Sequence, residues 1–331
     1  MRKVLFIFVV SVLITLLAST VQAASWSNVS SSTSSNLESV DMLSSTDGWA
    51  VGLEGTIIRW NGTNWNTVAS PTMAHLNSVD MVSADDGWAV GSEGTIIRWN
   101  GVSWSNVTSP TYANYEEIHM VSASEGWAVG LSGIIIRWDG TSWTRVDSPT
   151  NYPLYSVDMI SATEGWAVGQ KGIILHYDGA NWIIVKEPKV QWLWSVDMVD
   201  ADDGWAVGDS GRILRWNGTT WTEVTSPTSE HLFSVNMVNA DEGWAVGATG
   251  SILRWDGKEW RSVTSPTTAW LTEIDTLNGS DGWIVGVDGT TVKLQDEAGF
   301  PLEYILVVAV VVAVVVVAWF LFKKRKKKQY F

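Results

Sequence analysis

The chain has 331 residues, no cysteine, 23 tryptophans and a formal net charge of −14. Without cysteine there are no disulfides and no thiolate metal sites, so any closure of the fold comes from packing and hydrogen bonding. The acidic balance argues against nucleic acid or another polyanion as partner.

In chain order, residues 1–23 read as a secretory signal: Arg2-Lys3, an apolar run from Val4 to Leu17, then Val21-Gln22-Ala23 before Ala24. Residues 24–295 carry the repeats described below, and residues 296–303 form a short juxtamembrane linker. Residues 304–322 are expected to make a transmembrane helix, because Ile305 to Phe322 is uncharged and mostly apolar. Residues 323–331 follow as a basic tail whose Lys323 to Lys328 cluster is expected on the cytoplasmic side. The order signal, repeats, span and basic tail predicts a single-pass type I protein of the cell membrane with the repeats outside the cytoplasm. Of 21 basic residues, two lie in the signal and six in the tail, leaving 13 against all 35 acidic residues, so the exported part carries −22. Sequons at Asn28, Asn61, Asn106, Asn217 and Asn278 permit glycosylation if the host glycosylates exported proteins.

The repeat is marked by Gly-Trp pairs starting at Gly48, Gly87, Gly126, Gly165, Gly204, Gly243 and Gly282, 39 residues apart each time. In the unit from Ser78, four short runs alternate or are rich in β-branched residues: Ser78–Val82, Gly87–Gly91, Gly94–Trp99 and Ser103–Val107. Asn100-Gly101 is a hairpin signal between the last two, and Gly91 to Gly94 makes the turn before them. Four antiparallel strands repeated seven times predict an all-β, seven-bladed β-propeller, with an open β-solenoid as the alternative. The fourth-strand tryptophan recurs at Trp65, Trp104, Trp143, Trp182, Trp221 and Trp260, and counting back 39 gives Trp26. The seventh unit stops after its third strand, so the N-terminal Ser25-Trp26-Ser27-Asn28-Val29 is expected to complete the last blade and lock the ring. That arrangement would put the Asn-Gly turns toward the membrane and the connections after Ser-Pro-Thr away from it.

The run Gly-Trp-Ala-Val-Gly-x-x-Gly-x-Ile, as in Gly87 to Ile96, followed by a turn and a tryptophan, as in Asn100-Gly101 to Trp104, resembles the Ycf48/HCF136-like propellers of photosystem II assembly and, more loosely, the BNR or Asp-box propellers. The resemblance covers residues 25–295. It departs from the Asp-box in Trp138-Asp139-Gly140-Thr141-Ser142-Trp143, which is one residue shorter and carries an extra tryptophan. The resemblance implies a noncatalytic exported propeller that binds protein or glycan, without carrying over a photosynthetic role.

Residues common to every blade are read as frame. An acidic position (Asp47, Asp86, Glu125, Glu164, Asp203, Glu242, Asp281) and a basic one (Arg59, Arg98, Arg137, His176, Arg215, Arg254, Lys293) are expected to pair within each blade, with the cation resting on tryptophan. The first-strand position Asp41, Asp80, His119, Asp158, Asp197, Asn236 and Asp275 is expected to line the channel and to accept neighbouring backbone N–H groups. A hard cation is the alternative there, although no calcium-loop spacing is present. Neither a metal site nor a cofactor is assigned.

Differences between blades carry the functional expectation. In the connections and at the start of the first strands, Tyr155, Trp192, Trp194, His231, Phe233 and Trp270 are expected to form a patch across adjacent blades on the membrane-distal face. Flat aromatic surfaces suit sugar rings and protein hot spots, so the first expectation is a noncatalytic surface propeller binding a glycan or an envelope protein. An assembly or scaffold factor acting on a membrane complex through the membrane-proximal rings is the alternative. A sialidase-like glycoside hydrolase stands further off, since the arginines follow the repeat and no motif singles out Glu116, Glu117 or Glu230 as a carboxylate pair.

Overall fold

Each Gly-Trp-Ala-Val-Gly phrase forms the second strand of a four-stranded sheet, and its two glycines serve separate close approaches. In Asp86–Gly91, a Cβ on Gly87 would collide with the thioether of Met81 on the first strand. On Gly91 it would collide with the carbonyl oxygen of His75. Between them Trp88, Ala89 and Val90 are wholly buried. The glycine that follows, Gly94, sits at φ +73 in a tight turn, Ser92–Gly94, whose central Glu93 is itself left-handed at φ 57.

The computed structural model describes residues 25–186 and 191–295, and among these there are seven four-stranded antiparallel sheets. Blade one comprises Leu37–Ser44, Asp47–Gly52, Ile57–Trp60 and Trp65–Thr67, and blades two to six repeat it. Blade seven is built from Leu271–Asn278, Asp281–Gly286 and Thr291–Gln295, with Ser25–Val29 as its outer strand. The first strand of blade one packs beside that of blade seven, so the ring is closed and the open solenoid is excluded. Among the described residues no helix is long and apolar enough to cross a membrane. The signal, linker, transmembrane helix and basic tail expected from the sequence lie outside the described residues.

Tryptophan holds the blades together. Trp49 of blade one lies 4.8 Å from Trp99 and 5.4 Å from Trp104 of blade two, the second contact edge-on at 86°. The same pair of contacts recurs round the ring, through Trp166 with Trp216 and Trp221 and Trp283 with Trp60 and Trp65. At the closure Trp26 takes the fourth-strand place, edge-on to Trp244 at 5.2 Å and 90°. Third-strand indoles also donate to a turn carbonyl, as Trp60 does to Ser45 at 3.0 Å. Second- and fourth-strand indole N–H groups meet no acceptor, so those rings are held by apolar contact, and truncating one is expected to cost about 3–5 kcal/mol.

The strand order defines two faces. The Gly-x-x-Gly turns and the connections after Ser-Pro-Thr share the upper face; the turns between first and second strands and the Asn-Gly or Asp-Gly turns share the lower. The third strand of blade seven ends at Gln295 on the lower face.

Candidate binding face and channel

On the lower face the expected pairs form. Arg59 donates through Nε and Nη2 to Asp47 at 2.7 and 2.9 Å, and its guanidinium carbon lies 4.8 Å from the Trp49 ring centre. Arg98, Arg137 and Arg215 repeat this with Asp86, Glu125 and Asp203, and Arg254 pairs with Glu242 through Nη2 over Trp244. His176 departs, with Nε2 3.7 Å from Glu164. In blade seven Lys293 lies over Trp60 and Trp283, and Oδ1 of Asp281 is buried without a partner. Each arginine of this set is therefore paired within its own blade, and the set is spread round the ring.

The channel is lined by two levels of side chain that stitch the blades together. At the aspartate level, Asp41 accepts the Met81 N–H at 2.6 Å and Asp158 that of Met198 at 2.6 Å. Asp80, Asp197, Asn236 and Asp275 do the same for the next blade, Asp275 closing the ring on Met42 at 2.7 Å. His119 is the exception and sets Nδ1 3.2 Å from Asp158. A second level was not foreseen from the sequence: Ser39 accepts the Val79 N–H at 3.0 Å, and Ser78, Glu117, Ser156, Ser195, Ser234 and Glu273 repeat the bridge, Glu273 closing on Val40 at 2.6 Å. The signal was available, as serine stands before Val-Asp-Met or its variants in most units.

These carboxyls occupy a cavity of about 250 Å³ whose lining holds no lysine or arginine. Burial pushes Glu273 up to about 8 and Asp275 up to about 6. Asp41, Asp197 and Glu117 are held well above the ordinary range, by burial first and by neighbouring carboxylates after it. In Asp80 and Asp158 the nearby His119 offsets part of the same burial. Among the described residues no group of three or more His, Asp or Glu side chains has the geometry of a metal site.

On the upper face all six aromatic candidates come together. Tyr155 stacks on Trp194 at 4.5 Å and on Trp192 at 5.6 Å, Trp194 meets Phe233 edge-on at 6.2 Å, and Phe233 reaches Trp270 at 5.7 Å and His231 at 6.4 Å. Their surroundings divide the six. Nδ1 of His231 lies 3.3 Å from the backbone N of Ser210 and 3.0 Å from Asp209. At equivalent positions His75, Asn114 and Asn36 accept the N–H of left-handed Glu54, Glu93 and Asp288. The imidazole is thus part of the turn. Trp192 and Trp270 stand at the same repeat position with no such task, and Trp270 is 53% exposed. Asp209 fixes the patch from behind by accepting the Trp194 indole N–H at 2.9 Å and the Trp192 backbone N–H at 3.1 Å. Burial, with Glu116 and Asp209 nearby, pushes the Tyr155 hydroxyl up to about 12.

The comparisons with known proteins agree with this geometry. From the third strand of blade two to the end of blade four, residues 98–190 match the family model described as photosynthesis system II assembly factor YCF48. The solved structure of YCF48 bound to a D1 peptide superposes with a TM-score of 0.69 at 18% identity, covering 82% of this chain and 94% of that one. The chain shares the fold of that propeller and resembles its family over residues 98–190. YCF48 from Cyanidioschyzon merolae is similar to the same degree, with a TM-score of 0.69, 21% identity and coverage of 83% and 100%. The WD40 propeller of Doa1 shares the fold at 12% identity, with a TM-score of 0.69 and coverage of 83% and 98%. No curated protein sequence matches. In this ring the five sequon asparagines are all exposed; Nδ2 of Asn28 and of Asn106 donates to the carbonyls of Pro266 and Pro71. Glu116 and Glu117 stand side by side at the channel mouth, and Glu230 lies in the connection before the first strand of blade six.

Proposed function

We propose that the chain is a noncatalytic, protein-binding propeller that serves as an assembly or scaffold factor for a membrane complex and grips a partner polypeptide with its upper face. The observation that carries this is the continuous cluster of Tyr155, Trp192, Trp194, Phe233 and Trp270, which lies where the blades differ. Large aromatic rings grouped in one cluster provide apolar contact area at little entropic cost. The peptide-bound relative supports a protein segment over a glycan as the occupant. The sequence expectation of a scaffold acting through the membrane-proximal rings is modified accordingly, because the lower-face arginines and carboxylates largely satisfy one another. The proposal includes the location expected from the sequence: a single-pass type I anchor, the ring outside the cytoplasm and the basic tail within.

The test is affinity purification of the full chain from mildly solubilised membranes. A stoichiometric membrane-protein partner is expected, lost when Trp194 and Phe233 are both replaced by alanine. Retention of that partner by the double variant, or a saturable glycan ligand in its place, would overturn the reading.

A further inference from the structure

The mouth of the channel on the upper face is a ring of seven equivalent positions that divides into two arcs. Blades four, five and six contribute Tyr155, Trp194 and Phe233, while blades seven, one, two and three contribute Thr272, Glu38, Asn77 and Glu116. Three of the seven rim positions are aromatic and four polar, two of them carboxylates. Glu116 adjoins the aromatic arc closely enough that its charge helps to raise the Tyr155 hydroxyl.

The two rim carboxylates differ from those beneath them. Glu117 and Glu273 each accept a backbone N–H from the next blade. Glu38 and Glu116, among the described residues, have neither an ion-pair partner nor a side-chain hydrogen bond; burial raises both, and Glu116 raises Glu38 further. Two like charges share a half-buried rim, and no lysine or arginine lines either the rim or the channel below it. The upper-face cations Lys171 and Arg212 are engaged elsewhere, Lys171 4.7 Å above the Tyr152 ring and Arg212 3.3 Å from Glu223.

The lower face shows what completes such a set. There a carboxylate and a tryptophan face are joined by a guanidinium that donates two hydrogen bonds to the first and lies over the second, as in Asp86, Arg98 and Trp88. The upper rim holds carboxylate and aromatic ring without the cation. We propose that the mouth takes an arginine side chain from an extended segment of the partner protein, its guanidinium placed between Glu116 or Glu38 and the faces of Tyr155 and Trp194, while apolar neighbours in the segment lie on Phe233 and Trp270. A planar guanidinium satisfies both arcs at once, by stacking and by forked donation. An ammonium has neither the plane nor the fork. The inference rests on the protein-binding reading above and specifies the partner's chemistry.

The experiment uses the full chain in detergent and calorimetric titration with short extended peptides in which one central residue, flanked by leucines, is arginine, citrulline, lysine or glutamate. The arginine peptide is expected to bind at least ~10-fold more tightly than its citrulline counterpart, with lysine between them and glutamate weakest. In the variant Glu38→Gln with Glu116→Gln the arginine preference should vanish while the melting curve stays close to wild type. Equal binding of arginine and citrulline peptides, or a preference that survives the double substitution, overturns the proposal. So does stronger binding of a peptide spanning Lys323 to Lys328, which would make the chain's own terminus the occupant. If no arginine preference appears but Trp194→Ala with Phe233→Ala still releases the membrane partner, the inference falls alone. If the partner is retained, the protein-binding reading itself falls.

Discussion

The lower face and the upper mouth are built from the same seven blades and spend their polar groups differently. Below, four blades repeat carboxylate, arginine and tryptophan in one forked arrangement and a fifth pairs through Nη2 alone, each cation held inside its own blade. Above, no two neighbouring blades present the same residue at the rim, and Glu116, beside the aromatic arc, and Glu38, between Thr272 and Asn77, are left without a cation. A repeat that is uniform and internally paired supports the ring. One that varies and stays unpaired leaves chemistry for something else to complete.

If this contrast is right, damage to the shared frame should unfold the ring and damage to the rim should not. Deleting Ser25 to Val29 removes the outer strand of blade seven and the Trp26 contact with Trp244. It should cost at least about 5 kcal/mol, read as a collapsed melting transition; an unaltered melt would refute the closure. Trp205→Ala, a wholly buried frame ring, should cost about 3–5 kcal/mol and leave partner capture intact in whatever fraction remains folded. Trp194→Ala with Phe233→Ala should show the reverse pattern, a melt lowered by no more than about 2 kcal/mol and capture abolished.

The channel gives the contrast a pH signature. Glu273 and Asp275 titrate at higher pH in the folded ring than in the unfolded chain, because burial opposes their charge. The folded state therefore binds protons more tightly, and stability is gained as pH falls through about 8 and then about 6, becoming complete below the ordinary carboxylate range. The melting midpoint should rise between about pH 9 and about pH 5. Glu273→Gln keeps an oxygen for the Val40 N–H and should raise the midpoint at the alkaline end only; a midpoint that falls on acidification would contradict the assignment. The smallest effect belongs to the lower face. Asp86→Asn breaks a pair whose side chains are 36% and 18% exposed, which should cost no more than about 1 kcal/mol and leave capture unchanged.

The sequence made the frame readable because its signals are local and repeated seven times: the Gly-Trp spacing, the Asn-Gly turns and the displaced strand at Trp26. The same counting brought Tyr155, Trp194 and Phe233 onto one rim, since equivalent positions in neighbouring blades must adjoin. It could not separate His231, which serves its turn, from Trp192 and Trp270, which do not, because that difference rests on the left-handed Ser210 and on Asp209. Nor did it reveal the level formed by Ser39 and its equivalents. Those bridges join strands that do not share a sheet, so the serine repeated before Val-Asp-Met marks the positions without showing what they bond. The rim carboxylates went unread as a group because their meaning lies in the partners they lack.

The most direct test is to place a photoreactive amino acid at Thr272 on the upper rim and, separately, at Thr63 in a lower-face turn of the full chain, and to irradiate it in its own membrane. Crosslinking of the partner from position 272 and not from position 63 is the predicted result. Crosslinking from position 63 alone would show that the uniform face is the working one and would contradict the account.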